Sequence, residues 1–202
     1  NSPTGTLISM HDMEKIIKKA NIFGVPILVD EAYYGFSDIT VLPLLKKYKN
    51  LIVIRTFSKA YALAGLRLGY AICSSEEIVN ALRLATSTFN VNGIAEAAVM
   101  AALDDAEYTK FILDDNEREM NRIKAKCKKL GLHYMDSVTN FISIDVGIPN
   151  GEVVKAMRDR GIRISTPGYE SNGTFIRVST GLSDDTTAFL VALEEVLQEL
   201  AS

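Results

Sequence analysis

Apolar runs separated by polar segments mark the first strands of the chain. Residues 25–29 and 51–54 are short and almost wholly apolar, a pattern that predicts strands buried on both faces. Residues 42–49 between them predict a short helix, and a crossover of this kind joins parallel strands. A further strand is predicted at 68–73. The first third of the chain therefore predicts an α/β sheet.

Helical segments in this part of the chain carry start signals. Residues 13–20 combine apolar positions with lysines in an amphipathic pattern, with Ser9 as a candidate cap and Asp12 three residues later, as in a capping box. Two serines and two glutamates at 74–77 give a second helix an acidic first turn. That helix is predicted to run to about residue 85.

Two more helices are predicted in the middle of the chain. Residues 94–103 are rich in alanine, which favours a tightly packed core helix. Residues 104–130 are strongly charged and long enough to connect two lobes. The candidate packing positions of this long helix are Phe111, Ile112, Ile123 and Leu130.

The pattern changes after Gly131. Short strands interleaved with helices predict a small α+β domain. The predicted strands are 132–134, 141–146, 162–165 and 174–178, and the predicted helices are 150–160 and 184–200.

Composition narrows the function classes. An apolar content of 48% and a charged content of 23% are typical of a globular chain. A net charge of −3 without a basic stripe argues against nucleic-acid binding, and no apolar run reaches the about 20 residues that a membrane span needs. Cys73 and Cys127 lie far apart without metal-ligand spacing. They predict reduced thiols in a cytoplasmic protein, and no metal site.

The segment after the strand at 51–54 carries candidate chemistry. Thr56 and Ser58 precede Lys59, and Arg67 follows eight residues later. In open α/β sheets, ligands bind at the carboxyl ends of strands. A lysine there can form a Schiff base with a carbonyl, while hydroxyls and a guanidinium hold phosphate oxygens. The alternative is a solvated surface pair beside turn glycines.

A second polar group ends the strand at 25–29. Asp30 closes this apolar run, and Tyr33 lies three residues on. A carboxylate can pair with a protonated ring nitrogen, and a lysine Schiff base with an aspartate partner is the pyridoxal phosphate (PLP) arrangement. The alternative is a helix cap or a metal-binding pair of the Walker B kind, for which the accompanying glycine-rich Gly-Lys-Ser/Thr loop is missing from the sequence.

In this order, the motifs resemble the class I/II aminotransferases of PLP fold type I. They are Asn-Ser-Pro-Thr-Gly at 1–5, Asp30 with Tyr33, Thr56 with Ser58 and Lys59, Arg67, and Phe-Ile-Arg-Val-Ser at 175–179. The histidinol-phosphate aminotransferase branch is the most similar, because of residues 58–70, Phe-Asn-Val-Asn at 89–92 and Asn-Phe at 140–141.

The resemblance implies a domain organisation. It implies part of a PLP-binding large domain at 1–106 with a mostly parallel sheet, a connecting helix at 107–130 and a small C-terminal α+β domain at 131–202. It also implies that the chain is the carboxyl-terminal part of such an enzyme, and that the enzyme is a homodimer.

The resemblance further implies a cofactor, substrates and residue roles. The cofactor is pyridoxal 5′-phosphate, and the substrates are an amino acid, with histidinol phosphate as one candidate, and a 2-oxo acid. Lys59 is the implied catalytic residue. The implied cofactor-binding residues are Asn1, Asp30, Tyr33, Thr56, Ser58, Lys59 and Arg67, and the implied substrate residues are Asn140 and Arg177.

Two alternatives stay open at this point. A PLP-dependent decarboxylase or lyase could use the same anchors, because a fold does not determine the reaction type. Such an enzyme differs from an aminotransferase in needing no 2-oxo acid acceptor. The chain could also be a non-catalytic fragment that lacks the amino-terminal half of the site.

Overall fold

The structure is a computed structural model that describes residues 1–168 and 173–200. Residues 169–172 and 201–202 of the predicted small domain lie outside the described part. The chain divides into two compact units, a first unit of Ile8–Leu113 and a second unit of Asn1–Leu7 with Asp114–Ser202. The domain bounds 1–106, 107–130 and 131–202 stay a prediction.

The first unit contains three strands, three helices and two short 3₁₀ turns. In chain order, its elements are α1 (Met10–Ile22), β1 (Ile27–Asp30), a 3₁₀ turn (Leu42–Lys46), β2 (Leu51–Thr56), a 3₁₀ turn (Ala64–Leu66), β3 (Gly69–Cys73), α2 (Glu76–Ala85) and α3 (Gly93–Asp104). Helix α4 (Ala106–Leu130) contributes residues to both units.

The sheet of the first unit has β2 in its centre. Strands β1 and β2 pair in parallel, with Asp30 opposite Ile54, as the crossover predicted. Strand β3 pairs with the other edge of β2 in the antiparallel sense, with Gly69 opposite Thr56. The segment between β2 and β3 makes only a short 3₁₀ turn, so the chain returns without a helical crossover. The α/β fold class is confirmed, while the described sheet is mixed rather than mostly parallel.

Two helices in this unit start at serine caps, of which Ser9 is the predicted one. Ser9 Oγ accepts a hydrogen bond of 3.1 Å from the Asp12 amide, and Ser75 Oγ accepts one of 3.4 Å from the Ile78 amide. Helix α1 buries Ile17 completely against the sheet. The remaining buried members of this core are Val29, Val41, Leu45, Tyr48, Leu51 and Val53.

The prediction of a tightly packed core helix at 94–103 is wrong for this chain. Helix α3 buries only Ala95 and Val99, and the Ile94 side chain is 77% exposed. Apolar residues occur on every face of α3. Packing one face against the rest of the unit therefore leaves the apolar side chains of the other faces exposed to solvent. Among the packing positions predicted in α4, Ile123 is buried, as expected, but Phe111 is 54% exposed.

The second unit is a three-stranded antiparallel sheet with helices. Besides the end of α4, it contains β4 (His133–Tyr134), β5 (Phe141–Asp145), α5 (Asn150–Asp159), β6 (Phe175–Ser179) and α6 (Ser183–Leu200). Strand β5 lies between β4 and β6. The predicted strand at 162–165 is wrong, because only Ser165 makes an isolated bridge, to Arg177. No helix in the described residues has the length and apolarity needed to cross a membrane.

Candidate active site

The carboxyl ends of β1 and β2 present the predicted cofactor residues. Asp30 is the last residue of β1, and Thr56 is the last residue of β2. Asp30 Oδ1 accepts a hydrogen bond of 2.8 Å from the amide of Ala32, which orients the carboxylate at the strand end. Because β1 and β2 are parallel neighbours, these two ends lie at the same edge of the sheet.

Two hydroxyls converge directly after β2. Thr56 Oγ1 lies 2.9 Å from Ser58 Oγ, and the amide of Ser58 donates to Thr56 Oγ1 at 3.1 Å. Thr56 Oγ1 also lies 3.3 Å from the carbonyl oxygen of Leu68, at the start of the return to β3. The sequence therefore folds this loop so that both hydroxyls point to one place, as a phosphate ligand would require.

Lys59 stands between two buried residues of the same loop. Phe57 and Ala60 are 7% and 5% exposed, while Lys59 is half-buried. The amide of Leu63 donates to the carbonyl of Phe57 at 3.0 Å, which closes the loop. The buried side chains of Phe57 and Ala60 anchor the backbone around Lys59, while the Lys59 side chain is only half-buried.

The loop after β1 lies against the lysine loop. Lys59 Nζ is 5.6 Å from the centroid of the Tyr33 ring. Gly35 has a φ of +103°, and a Cβ placed there would come within 3.1 Å of the Ala60 side chain. A glycine is therefore needed both for the backbone conformation and for the close approach of the two loops. This contact brings Tyr33 to Lys59.

Arg67 adopts an uncommon backbone conformation for a residue with a side chain. Its φ of 55° lies in the left-handed region, which costs on the order of 1 kcal/mol or more. Its Nη1 donates to the carbonyl of Ala64 at 2.8 Å, and the side chain is exposed. The guanidinium thus contacts its own turn here, and a role in phosphate binding stays a prediction.

Three of the predicted site residues, Asn1, Asn140 and Arg177, belong to the second unit. Asn1 Nδ2 donates to Thr4 Oγ1 at 3.1 Å, within the turn at the start of the chain. The carbonyl of Asn140 accepts a 3.0 Å hydrogen bond from the amide of Thr180. The guanidinium carbon of Arg177 lies 3.8 Å from the centroid of the Phe141 ring, which is a cation–π contact. Their predicted contacts with cofactor and substrate stay predictions.

The structure also shows a polar cluster that the sequence analysis missed. Arg55 donates to Glu31 from Nε at 3.0 Å and from Nη2 at 2.9 Å. These side chains are 11% and 7% exposed. Burial alone would lower the pKa of Arg55, but hydrogen bonds to Glu31 and Tyr70 outweigh it and raise the pKa. The signal available in the sequence was a pair of opposite charges, with Glu31 two residues after the first apolar run and Arg55 directly after the second.

The residues at this sheet edge fit pyridoxal phosphate. The lysine amine suits an aldehyde, the paired hydroxyls of Thr56 and Ser58 suit a phosphate, and the Asp30 carboxylate suits a protonated ring nitrogen. The fit rests on the chemistry of this donor set and on its location at adjacent strand ends.

The chain is similar to proteins named histidinol-phosphate aminotransferase. A histidinol-phosphate aminotransferase of Caldicellulosiruptor saccharolyticus is 38% identical over 201 residues, which is 98% of this chain and 56% of that protein. The chain thus spans about half the length of the curated relatives that it matches. The crystal structure of histidinol-phosphate aminotransferase from Sinorhizobium meliloti in complex with pyridoxal-5′-phosphate matches with a TM-score of 0.86 and 30% identity, over 98% of this chain and 55% of that one.

The same fold also occurs in an enzyme of another reaction type. The structure of a decarboxylase from Sulfurospirillum multivorans matches with a TM-score of 0.81 and 25% identity, over 98% of this chain and 59% of that one. The family profile described as aminotransferase class I and II matches residues 1–192. This match covers nearly the whole sequence, and the chain belongs to the class I and II aminotransferase family.

Proposed function

We propose that this chain carries the lysine-bearing part of a PLP-dependent aminotransferase. One observation carries the proposal. The adjacent parallel strands β1 and β2 end in Asp30 and Thr56, and the loop after Thr56 holds Ser58 and Lys59 beside Tyr33. This set combines a nucleophilic amine, a phosphate anchor and a carboxylate within one unit of the structure.

Each residue has a distinct role in the proposal. Lys59 Nζ would hold the cofactor covalently, would be freed when the substrate amine takes its place, and would then move the proton at the α-carbon of the substrate. The Asp30 carboxylate accepts a hydrogen bond from the cofactor ring nitrogen and keeps that nitrogen protonated. Thr56, Ser58 and Arg67 bind the phosphate. When bound, PLP supplies a ring that withdraws electrons from the substrate's α-carbon.

The remaining contacts concern the ring oxygen and the substrate. Tyr33 donates its hydroxyl to the ring oxygen of the cofactor, and Asn1 is the other proposed contact of that oxygen. Arg177, in contact with the Phe141 ring, binds with its planar fork the carboxylate of an amino acid or of the 2-oxo acid; histidinol phosphate itself has no carboxylate. Asn140 lies near the substrate in this proposal.

The proposed substrates are an amino acid donor and a 2-oxo acid acceptor. Histidinol phosphate is the first donor to test, because the relatives with 38% and 34% identity carry the name histidinol-phosphate aminotransferase. We further propose a homodimer as the active assembly, in line with the family resemblance.

Product analysis tests the reaction type. The chain is incubated with PLP and histidinol phosphate, with and without 2-oxoglutarate, and the products are identified by mass spectrometry. Formation of glutamate that depends on the acceptor and disappears in Lys59→Ala supports the proposal. Lys46→Ala, a lysine of the same unit outside the site, is the matched control and should retain the reaction. Absence of any product contradicts activity in this chain.

A PLP-dependent decarboxylase is the second candidate. The similar decarboxylase fold favours it, because it shows that the same architecture supports loss of carbon dioxide. With an α-amino acid as substrate, carbon dioxide released without an acceptor would identify this reaction. Release of carbon dioxide in place of glutamate would therefore overturn the aminotransferase proposal and retain the cofactor site.

A further inference from the structure

A buried guanidinium lies behind the candidate active site and joins its two loops. Arg55 donates to one carboxylate oxygen of Glu31, Oε2, from Nε at 3.0 Å and from Nη2 at 2.9 Å, and its Nη2 also donates to Thr40 Oγ1 at 2.9 Å. The Tyr34 ring covers the same group, with the guanidinium carbon 3.5 Å from the ring centroid. The side chain of Arg55 is 11% exposed. The guanidinium thus has hydrogen-bond acceptors at Nε and Nη2 and an aromatic ring against one face.

The partners of Arg55 are the chain neighbours of predicted cofactor residues. Glu31 directly follows Asp30, and Tyr34 directly follows Tyr33. Arg55 itself directly precedes Thr56. Arg55 thus contacts the chain neighbours of Asp30 and Tyr33 and is itself the neighbour of Thr56. The proposed function assigns all three of these residues to the cofactor.

The backbone between these residues is also connected. The amide of Glu31 donates to the carbonyl of Ile54 at 2.9 Å, which continues the β1–β2 ladder by one step. Successive side chains of a strand point to opposite faces, so Arg55 and Thr56 lie on opposite sides of β2. The arginine can therefore hold the strand ends from behind without occupying the space in front of Thr56.

The Glu31 carboxylate extends the same connection to the next loop segment. Its Oε1 accepts a hydrogen bond of 2.6 Å from the Val41 amide, and its Oε2 accepts one of 2.8 Å from Thr40 Oγ1. The amide of Tyr34 in turn donates to the Glu31 carbonyl at 2.9 Å. The turn that carries Tyr33 is thus tied at both ends to the ion pair.

We propose that Arg55 is the positioning residue of the cofactor site, which it orders by fixing Asp30, Tyr33 and Thr56 through their neighbours. The inference rests on the proposed function for its consequence in cofactor binding. An arginine is required because only a planar fork can pair with Glu31 and stack on Tyr34 at once. A lysine keeps the positive charge and loses both the fork and the stacked plane.

Amide hydrogen exchange measures this positioning without any cofactor. The amide of Ala32 is bonded to the Asp30 carboxylate, and the amide of Ser58 to the Thr56 hydroxyl, so their exchange rates report the two site residues. In Arg55→Lys, we expect both amides to exchange at least several-fold faster. The amide of Asp12, capped by Ser9 in α1, is the internal reference and should keep its rate.

Cofactor affinity is the second readout. We expect the dissociation constant for PLP to rise about tenfold in Arg55→Lys, the loss expected when hydrogen bonds to a charged group are weakened. Tyr34→Leu removes only the stacking and should cause a smaller rise in the same direction. Lys47→Met is the matched control, since Lys47 pairs with Glu14 at 2.5 Å on the surface of the same unit. Circular dichroism of each variant confirms folding.

The outcomes separate this inference from the proposed function. If the unaltered chain binds PLP at Lys59, and Arg55→Lys and Tyr34→Leu match it in affinity and amide exchange, the positioning role is refuted. A uniform acceleration of all amides, including Asp12, would also refute it, because the arginine would then stabilise the unit as a whole. If the unaltered chain does not bind PLP at Lys59, the proposed function fails, and amide exchange in Arg55→Lys alone decides whether Arg55 orders the two loops.

Discussion

A buried carboxylate in helix α4 gives a pH-dependent prediction for the second unit. The Glu119 side chain has no exposed surface, yet it carries two arginine contacts. Arg122 Nη1 lies 2.6 Å from one carboxylate oxygen, and Arg118 Nε lies 3.0 Å from the other. Replacing Arg122 with methionine leaves a buried carboxylate with one of its two ion pairs removed.

The sign of the pH effect follows from the pKa of Glu119. Burial raises this pKa, but hydrogen bonds from Arg122 and Arg118 oppose burial, and the pKa lies below the ordinary value of 4.5. A lowered pKa means that the contribution to stability is present above the unfolded-state pKa and is lost as the pH falls through the folded-state pKa. Without Arg122, fewer hydrogen bonds oppose the effect of burial on the pKa of Glu119. This pKa therefore rises, and the carboxyl group is protonated at a higher pH.

We therefore expect the cost of Arg122→Met to grow from pH 4 to pH 7. At pH 7, the free energy of unfolding should fall by about 2 kcal/mol. This is less than the about 3–5 kcal/mol that breaking a fully buried ion pair costs, because Arg122 is one-third exposed and Arg118 still pairs with Glu119. At pH 4, protonation of Glu119 relieves the unpaired charge, so the loss should be smaller. Urea unfolding followed by far-ultraviolet circular dichroism at both pH values measures the difference.

The control is an ion pair of the same unit that is open to solvent. Lys155 and Asp159 pair at 2.8 Å on α5 with side chains that are 79% and 61% exposed. Lys155→Met should change the free energy of unfolding little at either pH, because exposed pairs are screened by water and salt. An equal cost of Arg122→Met at pH 4 and pH 7 would refute the reasoning about Glu119.

Three further outcomes follow from local geometry. Ser9→Ala should lower the free energy of unfolding by about 1 kcal/mol in urea titrations, because it removes the cap of α1. Gly69→Ala should weaken PLP binding in absorbance titrations, since the added Cβ would lie 2.7 Å from a carbonyl oxygen of β2. In Gly65→Ala, the added Cβ would have no atom within 4 Å, so this control variant should bind PLP normally. Burial raises the pKa of Cys127 to about 11, so iodoacetamide at pH 8 should label Cys73 first in the folded chain and both thiols in urea.

Features that depend on a few consecutive residues could be predicted from the sequence. The apolar runs predicted the locations of β1 and β2, but burial on both faces is wrong for β1, where the Leu28 side chain is 53% exposed. The cap Ser9 acts within three residues of itself and forms as expected, and the helix start predicted at 74–77 is capped by Ser75. Asp30 and Thr56 therefore fall at strand ends, as the sequence predicted.

Features that depend on distant partners could not be predicted in the same way. The direction of β3 depends on how the loop from 57 to 68 turns, and the apolar pattern of the strand is the same for either direction. The ion pair of Glu31 and Arg55 joins residues 24 positions apart, and its formation depends on the register of β1 against β2. Helix α3 forms as predicted, but its burial was wrongly predicted, because a composition that is apolar on all sides does not specify which side packs.

The most direct test of the central claim is chemical trapping of PLP on the lysine after β2. The chain is mixed with PLP, reduced with borohydride and digested, and the lysines are mapped by mass spectrometry. The account predicts a pyridoxyl group on Lys59 in preference to every other lysine, with the preference reduced in Asp30→Ala. A folded chain in which Lys59 is labelled no more than surface lysines such as Lys47 would contradict it.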